Sequence, residues 1–436
     1  MQDKKKNKPT TPRHEIALFI ILLTALFSAW AMTVRKVQVN LTDSFQIPAS
    51  GLKIRLPDGK LWSTKTENWE FDYESNYFFA GAVQTNSSDV RSASVQWRYY
   101  ISPLKYLPTA MQNRYAQQSG SSVVRRGIII SRGFGTHWAL CAPNEQDGGH
   151  YSKYGLIKLG SERFAELEVR AAEKQQCSEL FELLIKQASY SPNPFINQGI
   201  ELLDRVRLKS QFSYTPNKNT NSFLMESPNV YKGIMINRVK VTAHRGEKKE
   251  LTVTDFGFSK VFNYNDIIFD ERTRRFSWKR KRVTEKGKVR EIIMENRGPN
   301  VEIIDLKTLA VNRRSITQVF WPEIFQMYLV KFFIFETDLD KCVVDTLMPQ
   351  GQIVPVIFER VRTDEGLLSA KLKYTHKPDF AINVFFDKNQ NIINFSDSDN
   401  NNTRKVNLHK VIKTFPEQEN VINKFLKDRW RLDAAN

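Results

Sequence analysis

The chain has 436 residues, 41% apolar and 12% aromatic, and its 65 Lys and Arg against 47 Asp and Glu give a formal net charge of +18. That apolar and aromatic content excludes a disordered stalk, and the length predicts two or three domains. Three cysteines exclude a disulfide framework, while the cationic surplus predicts anionic partners: phospholipid headgroups, wall polymers, acidic proteins or nucleic acid.

Residues 1–15 read as a cytoplasmic basic tail, with Lys4, Lys5, Lys6, Lys8 and Arg13. Ile16–Val34 then runs IALFIILLTALFSAWAMTV without a charge. As a helix it is about 28 Å long, against a hydrocarbon core of about 30 Å. Only Arg35 and Lys36 follow closely. The positive-inside bias therefore predicts a single-pass transmembrane anchor, amino terminus in the cytoplasm and the bulk of the chain extracytoplasmic. A cleaved secretory signal is the alternative, because Ala29-Trp30-Ala31 is an A-x-A pattern behind an apolar Ile16–Phe27. Both export the same domains, which makes nucleic acid the least favoured partner.

Residues 45–190 predict an α+β domain. Leu52, Ile54 and Leu56 alternate with Lys53 and Arg55 up to a Pro57-Asp58-Gly59 turn, and further strands are expected near Tyr77–Thr85 and Ser94–Ile101. In the latter, Val95, Trp97, Tyr99 and Ile101 share one face. Pro108 opens a helix through Gln118, stopped by Gly120. Strands follow at Val123–Ser131, Thr136–Ala142, Tyr154–Leu159 and Phe164–Ala171, then a helix from Glu173 to Ala188 burying Cys177, Leu180, Phe181, Leu184 and Ala188. An antiparallel sheet with helices packed on it accounts for this order. Cys141 and Cys177 are the better pair if one bridge forms; buried free thiols are the other reading. The opening strand with its Pro57 to Trp62 exit, the mid-domain helix and the closing Ala188-Ser189-Tyr190 resemble the PsbP/Mog1-like α/β sandwich, a resemblance that implies a fold and no active site.

Ser191-Pro192-Asn193-Pro194 begins a linker over 191–214 with a short amphipathic segment at Ile200–Leu208. A second domain, 215–415, is β-rich. Its hairpins turn at Arg245-Gly246, at Glu285–Lys288 and at Thr363–Gly366, with later strands at Leu368–Tyr374, Phe380–Phe386 and Ile392–Phe395. Between them Val319–Phe335 reads as one very apolar helix with Pro322 in its first turn, too short to span a bilayer. Such a helix buries itself in a core or against lipid. Long hairpins around one apolar helix, and the phrase VFFDKNQNIINF over Val384–Phe395, resemble the LolA/LppX-like half-barrel of exported lipoprotein carriers. The resemblance implies an acyl chain or other apolar ligand held near Phe325, Tyr328, Leu329 and Phe332. The N-terminal region lacks the lipobox cysteine of such carriers. Residues 416–436 predict a C-terminal helix with Val421, Phe425 and Leu426 inward.

The most charged stretch, Arg272–Arg290, holds ten basic residues against Glu285 alone. Phe276 and Trp278 share a strand face with Arg280 and Arg282, opposite Arg275, Lys279 and Lys281. Basic side chains interleaved with aromatics grip anionic surfaces, so Arg275, Lys279, Arg280, Lys281 and Arg282 are the expected contacts to anionic lipid or an acidic envelope protein. The bland reading is a hairpin with solvated charges. Asp387-x-Asn389-x-Asn391 and Asp397-x-Asp399-x-Asn401 imitate calcium loops but lack the glycine and the closing glutamate, so no metal is expected. Glu336, Asp338, Asp340 and Asp345 read as a solvated helix end. No His pair, nucleophile elbow or phosphate loop occurs, and neither enzyme activity nor a cofactor is expected. The sequence thus predicts a membrane-anchored envelope protein that binds an apolar or anionic, lipid-like ligand, or alternatively docks partner proteins as a scaffold.

Overall fold

The computed structural model describes residues 39–64, 69–85, 91–102, 107–143, 149–160, 162–208, 221–226, 232–244, 248–256, 261–270, 273–284, 286–297, 300–362, 368–398 and 402–424. Among these no helix is long and apolar enough to cross a membrane; the basic tail and Ile16–Val34 lie outside the described residues, as do the turns expected at Arg245-Gly246 and Thr363–Gly366 and both Phe425 and Leu426. The described chain is β-rich, with few helices and two large open sheets that are antiparallel save for one edge pair.

The first sheet is built from β1 (Trp62–Thr64), β2 (Glu70–Asp72), β3 (Tyr77–Thr85), β4 (Arg91–Ile101), then helix α1 (Pro108–Gln118), β5 (Ser122–Ser131), β6 (Phe134–Ala142), β7 (Tyr151–Lys158) and β8 (Arg163–Ala171). Its order is β1-β3-β4-β8-β7-β6-β5, with β2 also paired to β3. One face carries the alternating apolar set: Val95, Trp97, Tyr99 and Ile101 of β4 and Ala165, Leu167, Val169 and Ala171 of β8 are all buried. Helix α2 (Lys174–Gln187) lays Cys177, Leu180, Phe181, Leu184 and Ile185 on it. Gly155 lets it come close, since a Cβ there would lie 2.5 Å from the Phe181 ring. Each such side chain taken from water contributes roughly 1.5–3 kcal/mol. The three cysteines are buried free thiols, with burial pushing Cys177 up to about 12.

The opposite face of the same sheet packs Tyr154, Leu156 and Phe164 under α1's Met111 and Tyr115, and beside them it buries two carboxylates. Glu166 and Glu168 lie side by side on β8; Tyr154 Oη donates to Glu166 at 2.5 Å, and Arg98 and α1's Tyr115 donate to Glu168, each at 2.9 Å. Burial pushes the Glu166 carboxyl up. It works the same way on Glu168, but Arg98 and Arg170 outweigh it and hold that carboxyl below its ordinary range. Satisfied in this way, two buried charges are tolerated.

Within the stretch expected as a linker, Pro194–Leu208 forms helix α3, with Leu202, Leu203 and Val206 buried. Gly199 brings it against the second sheet, where a Cβ would lie 1.8 Å from the Val343 carbonyl oxygen. That sheet has fifteen strands: β9 (Asn221–Glu226), β10 (Lys232–His244), β11 (Lys248–Phe256), β12 (Phe262–Phe269), β13 (Phe276–Val283), β14 (Val289–Arg297), β15 (Asn300–Asp305), β16 (Val311–Ser315), β17 (Trp321–Pro322), β18 (Lys341–Leu347), β19 (Ile353–Arg362), β20 (Leu368–Tyr374), β21 (Ala381–Phe386), β22 (Ile392–Asp397) and β23 (Asn402–Val406). Pairing of β9 with β23 joins an early run of hairpins, β16 back to β9, to a late run, β23 back to β17.

Helix α4 (Gln326–Phe335) starts later than expected. Trp321 and Pro322 form β17, parallel to Thr346 and Leu347, and a 3₁₀ turn at Glu323–Phe325 precedes the α-helix. At the other end helix α5 (Leu408–Thr414) is followed by a 3₁₀ turn at Pro416–Gln418 and a helical stretch over 419–424, in which Ile422 rather than Val421 is fully buried.

The two sheets share one apolar core, which runs from Ile47 through Trp97 and Phe181 to Trp321, Phe333 and Phe358. Arg163 of β8 donates from Nη2 to both carboxylate oxygens of Asp345 on β18, at 2.8 and 2.7 Å. Asp345 is thus a buried bridge and not part of a solvated helix end.

Candidate functional site

The four residues expected to line an apolar concavity sit inside packed protein. Phe325, Leu329 and Phe332 are buried, and half-buried Tyr328 stacks on Trp321 with ring centroids 6.3 Å apart. Phe269 lies 5.8 Å from Phe325 and 5.7 Å from Trp321, and Phe320 packs between Phe269 and Phe276. On α4, Tyr374 Oη donates to Gln326 Oε1, while Gln326 Nε2 is buried without a hydrogen-bond partner. Arg360 of β19 caps the helix's carboxyl end, donating to the carbonyls of Phe333, Ile334, Thr337 and Leu339, which satisfies acceptors a helix end leaves open. The chain's own aromatics fill the space around α4.

The basic stretch divides differently. Phe276 and Trp278 are buried on the inner face of β13, and Trp278 Nε1 donates to Asn265 Oδ1 at 3.2 Å. Lys279 and Lys281 fall on the other face by strand alternation, with Lys279 Nζ 2.6 Å from Glu291. Arg275 is exposed just ahead of the strand. Arg280 and Arg282 continue the inner face past Trp278, so one face of one strand changes from aromatic to cationic along its length.

That change opens a cleft of about 500 Å³. Arg280, Arg282, Arg290 and Arg314 bring the positive charge; Ile292 and Ile303 give it an apolar floor, and Val311 and the Pro349–Gln350 turn border it. Gly351, at φ +83°, makes that turn possible, since a Cβ there would meet Ile303 Cδ1 at 2.4 Å. Positive charge is in excess. Arg282 stands directly opposite Arg290 across β13 and β14, a like-charge juxtaposition that costs about 0.2–1 kcal/mol. Among the described residues Asp305 is the one carboxylate lining the cleft, 3.5 Å from Arg290. Backbone N–H groups of Lys307 and Thr308 hold it below the usual carboxylate range. Arg314 Nη1 donates to the Tyr73 carbonyl at 2.9 Å, while its buried Nε has no hydrogen-bond partner; burial pushes its pKa down against the pull of Asp72 and Glu74. Four guanidiniums over an apolar floor form a receptor for an anionic group with an apolar portion attached.

Sequence reasoning found Arg280 and Arg282 and counted Arg290 within the charged stretch, but missed Arg314, whose strand offers no pattern beyond Arg313-Arg314. Among the described residues no group of His, Cys, Asp and Glu could hold a metal ion. The Asp387 imitation of a calcium loop is a turn, its carboxylate accepting from the backbone N–H groups of Asn389 and Asn391 at 2.8 Å each; residues 399–401 of the second imitation lie outside the described residues.

No protein-family model and no curated protein matches the chain. Among solved structures, a β-barrel-like protein of the domain of unknown function DUF1849 from Brucella abortus is 11% identical over 43% of this chain and 92% of its own, with a TM-score of 0.32. LpqN of Mycobacterium tuberculosis, described as involved in cell envelope biogenesis, is 12% identical over 37% and 96%, TM-score 0.24. A protein from Bacteroides thetaiotaomicron is 11% identical over 39% and 62%, TM-score 0.22. Likenesses this distant assign nothing to this chain.

Proposed function

We propose that the chain is a non-catalytic binding protein of the cell envelope, anchored through Ile16–Val34 with its amino terminus in the cytoplasm, and that it holds an anionic, lipid-like ligand in the arginine cleft. The convergence of Arg280, Arg282, Arg290 and Arg314 on one amphipathic cleft carries this reading. An apolar ligand among Phe325, Tyr328, Leu329 and Phe332 is disfavoured, because it must displace Trp321 and Phe269 from well-packed positions. Docking of an acidic partner protein is the second reading, and the outward Lys279, Lys281 and Arg275 favour it.

The test is calorimetric titration of the full chain in neutral detergent with micelles carrying phosphatidylglycerol or phosphatidylcholine. The phosphatidylglycerol micelles bind, the phosphatidylcholine ones do not, and Arg282→Glu with Arg290→Glu abolishes the heat. Equal heats for both lipids, or an unaffected double variant, overturn the assignment. A reporter fused after Asn436 that works only in the cytoplasm overturns the export half.

A further inference from the structure

Strand β5 ends the eight-stranded sheet. It pairs with β6 from Ser131↔Phe134 to Ser122↔Ala142, and among the described residues no strand pairs with its other edge; only past its end does Arg132 bridge Ser189. An open edge templates a further strand, and edges are ordinarily blunted by charge, proline, a bulge or short length. β5 carries a bulge between Val123 and Arg125 and the charges of Arg125 and Arg126 toward its start, but over 127–131 it reads Gly-Ile-Ile-Ile-Ser and carries none of these.

Its register is pinned from one side. Ile129 packs against the core, Ser131 Oγ donates to the Ile185 carbonyl at 2.9 Å, and Gly127 lies under Trp138, whose ring a Cβ would meet at 2.5 Å. The alternate residues therefore face outward: Ile128 and Ile130 are 61% and 85% exposed. Helix α1 engages this face at Arg126, whose guanidinium donates to Gln112 Oε1 at 3.2 Å and Asn113 Oδ1 at 2.5 Å.

We propose that the open edge of β5 is a strand-addition surface for an extended segment of another protein, one that alternates aliphatic with acidic side chains. Main-chain hydrogen bonds to an edge supply affinity, and alternate side chains supply choice of partner. Aliphatic side chains match Ile128 and Ile130. Carboxylates, which alternate to the other face of the added strand, match the exposed Arg125, while Arg126 stays on the aliphatic face, held by neutral amide oxygens. A second copy of the chain is the wrong occupant, because it would set two arginine pairs beside each other and bring together two chains of net charge +18.

The experiment titrates the full chain in neutral detergent with fluorescein-labelled peptides of about ten residues, the length of a long strand. One alternates valine with glutamate, the other valine with lysine. Anisotropy reads binding, and hydrogen exchange over 122–131 reads its place. The valine–glutamate peptide binds and slows exchange over 122–131, the valine–lysine peptide does not bind, and Ile128→Lys with Ile130→Lys weakens binding at least about tenfold. Both substituted side chains are exposed, so melting of the variant stays unchanged. The proposal is overturned by absence of binding, by equal binding to the variant or by protection elsewhere. A concentration-dependent dimer that the variant abolishes also overturns it, by making a second copy the occupant.

Discussion

Replacing Arg163 by methionine cuts the bond between the two sheets at its most buried point. The Arg163 and Asp345 side chains are 11% and 6% exposed, so in the variant the Asp345 carboxylate keeps its burial and loses its counter-charge. Breaking such a pair costs about 3–5 kcal/mol. Protonation sets a ceiling: neutralising a carboxyl of ordinary pKa at pH 7 costs about 4 kcal/mol, at about 1.4 kcal/mol per pH unit. In the variant, burial raises the folded-state pKa of Asp345 above its unfolded value. The folded form then binds more protons than the unfolded one, and stability falls as pH rises from about 4 toward 7. The double variant Arg163→Met, Asp345→Leu removes both charges and stays within about 1 kcal/mol of the parent. Urea unfolding of the full chain in detergent, followed by tryptophan fluorescence at pH 4.5, 5.5 and 7, reads all three. A single variant as stable as the parent at pH 7, or a double variant as damaged as the single one, refutes the reasoning.

Truncating Leu329 to alanine empties a fully buried position on α4 and lowers stability by about 2–5 kcal/mol in the same unfolding assay; a loss below about 1 kcal/mol contradicts dense packing around that helix. Arg282→Gln relieves the repulsion with Arg290, so thermal unfolding shows about 0.2–1 kcal/mol of added stability while phosphatidylglycerol binding weakens. His376, ringed by Phe71, Tyr73 and Tyr374, has its pKa pushed down to about 4 by burial. The unfolded chain therefore takes up that proton first, and the stability it contributes is present above pH 6.5 and lost as pH falls toward 4. Discounted for partial exposure, the effect is on the order of 1 kcal/mol, and His376→Phe flattens that part of the stability–pH curve.

The elements of residues 45–190 are legible in the sequence because their core-facing apolar residues recur at strand or helix spacing. Tyr77–Thr85 and Pro108–Gln118 have the expected bounds, and Val95, Trp97, Tyr99 and Ile101 are all buried. Strand alternation alone also separates Arg280 and Arg282 from Lys279 and Lys281. Hydropathy says that α4 is buried but not by what, since Phe358 and Phe386 pack on its Phe333 and Phe335 from strands distant in the chain. The same limit hides the β9–β23 junction, the Arg163–Asp345 bridge and the place of Arg314 in the cleft. Each depends on residues far apart in the chain, for which local periodicity carries no signal. Pro322 is misplaced for a local reason: proline suits a helix's first turn and an edge strand equally well.

Hydrogen exchange of the full chain in neutral detergent, with and without phosphatidylglycerol, tests the arginine cleft most directly. Slowed exchange concentrated in β13, β14 and the β15–β16 turn is the predicted result. Lipid binding that leaves those strands unchanged and alters α4 instead would contradict it.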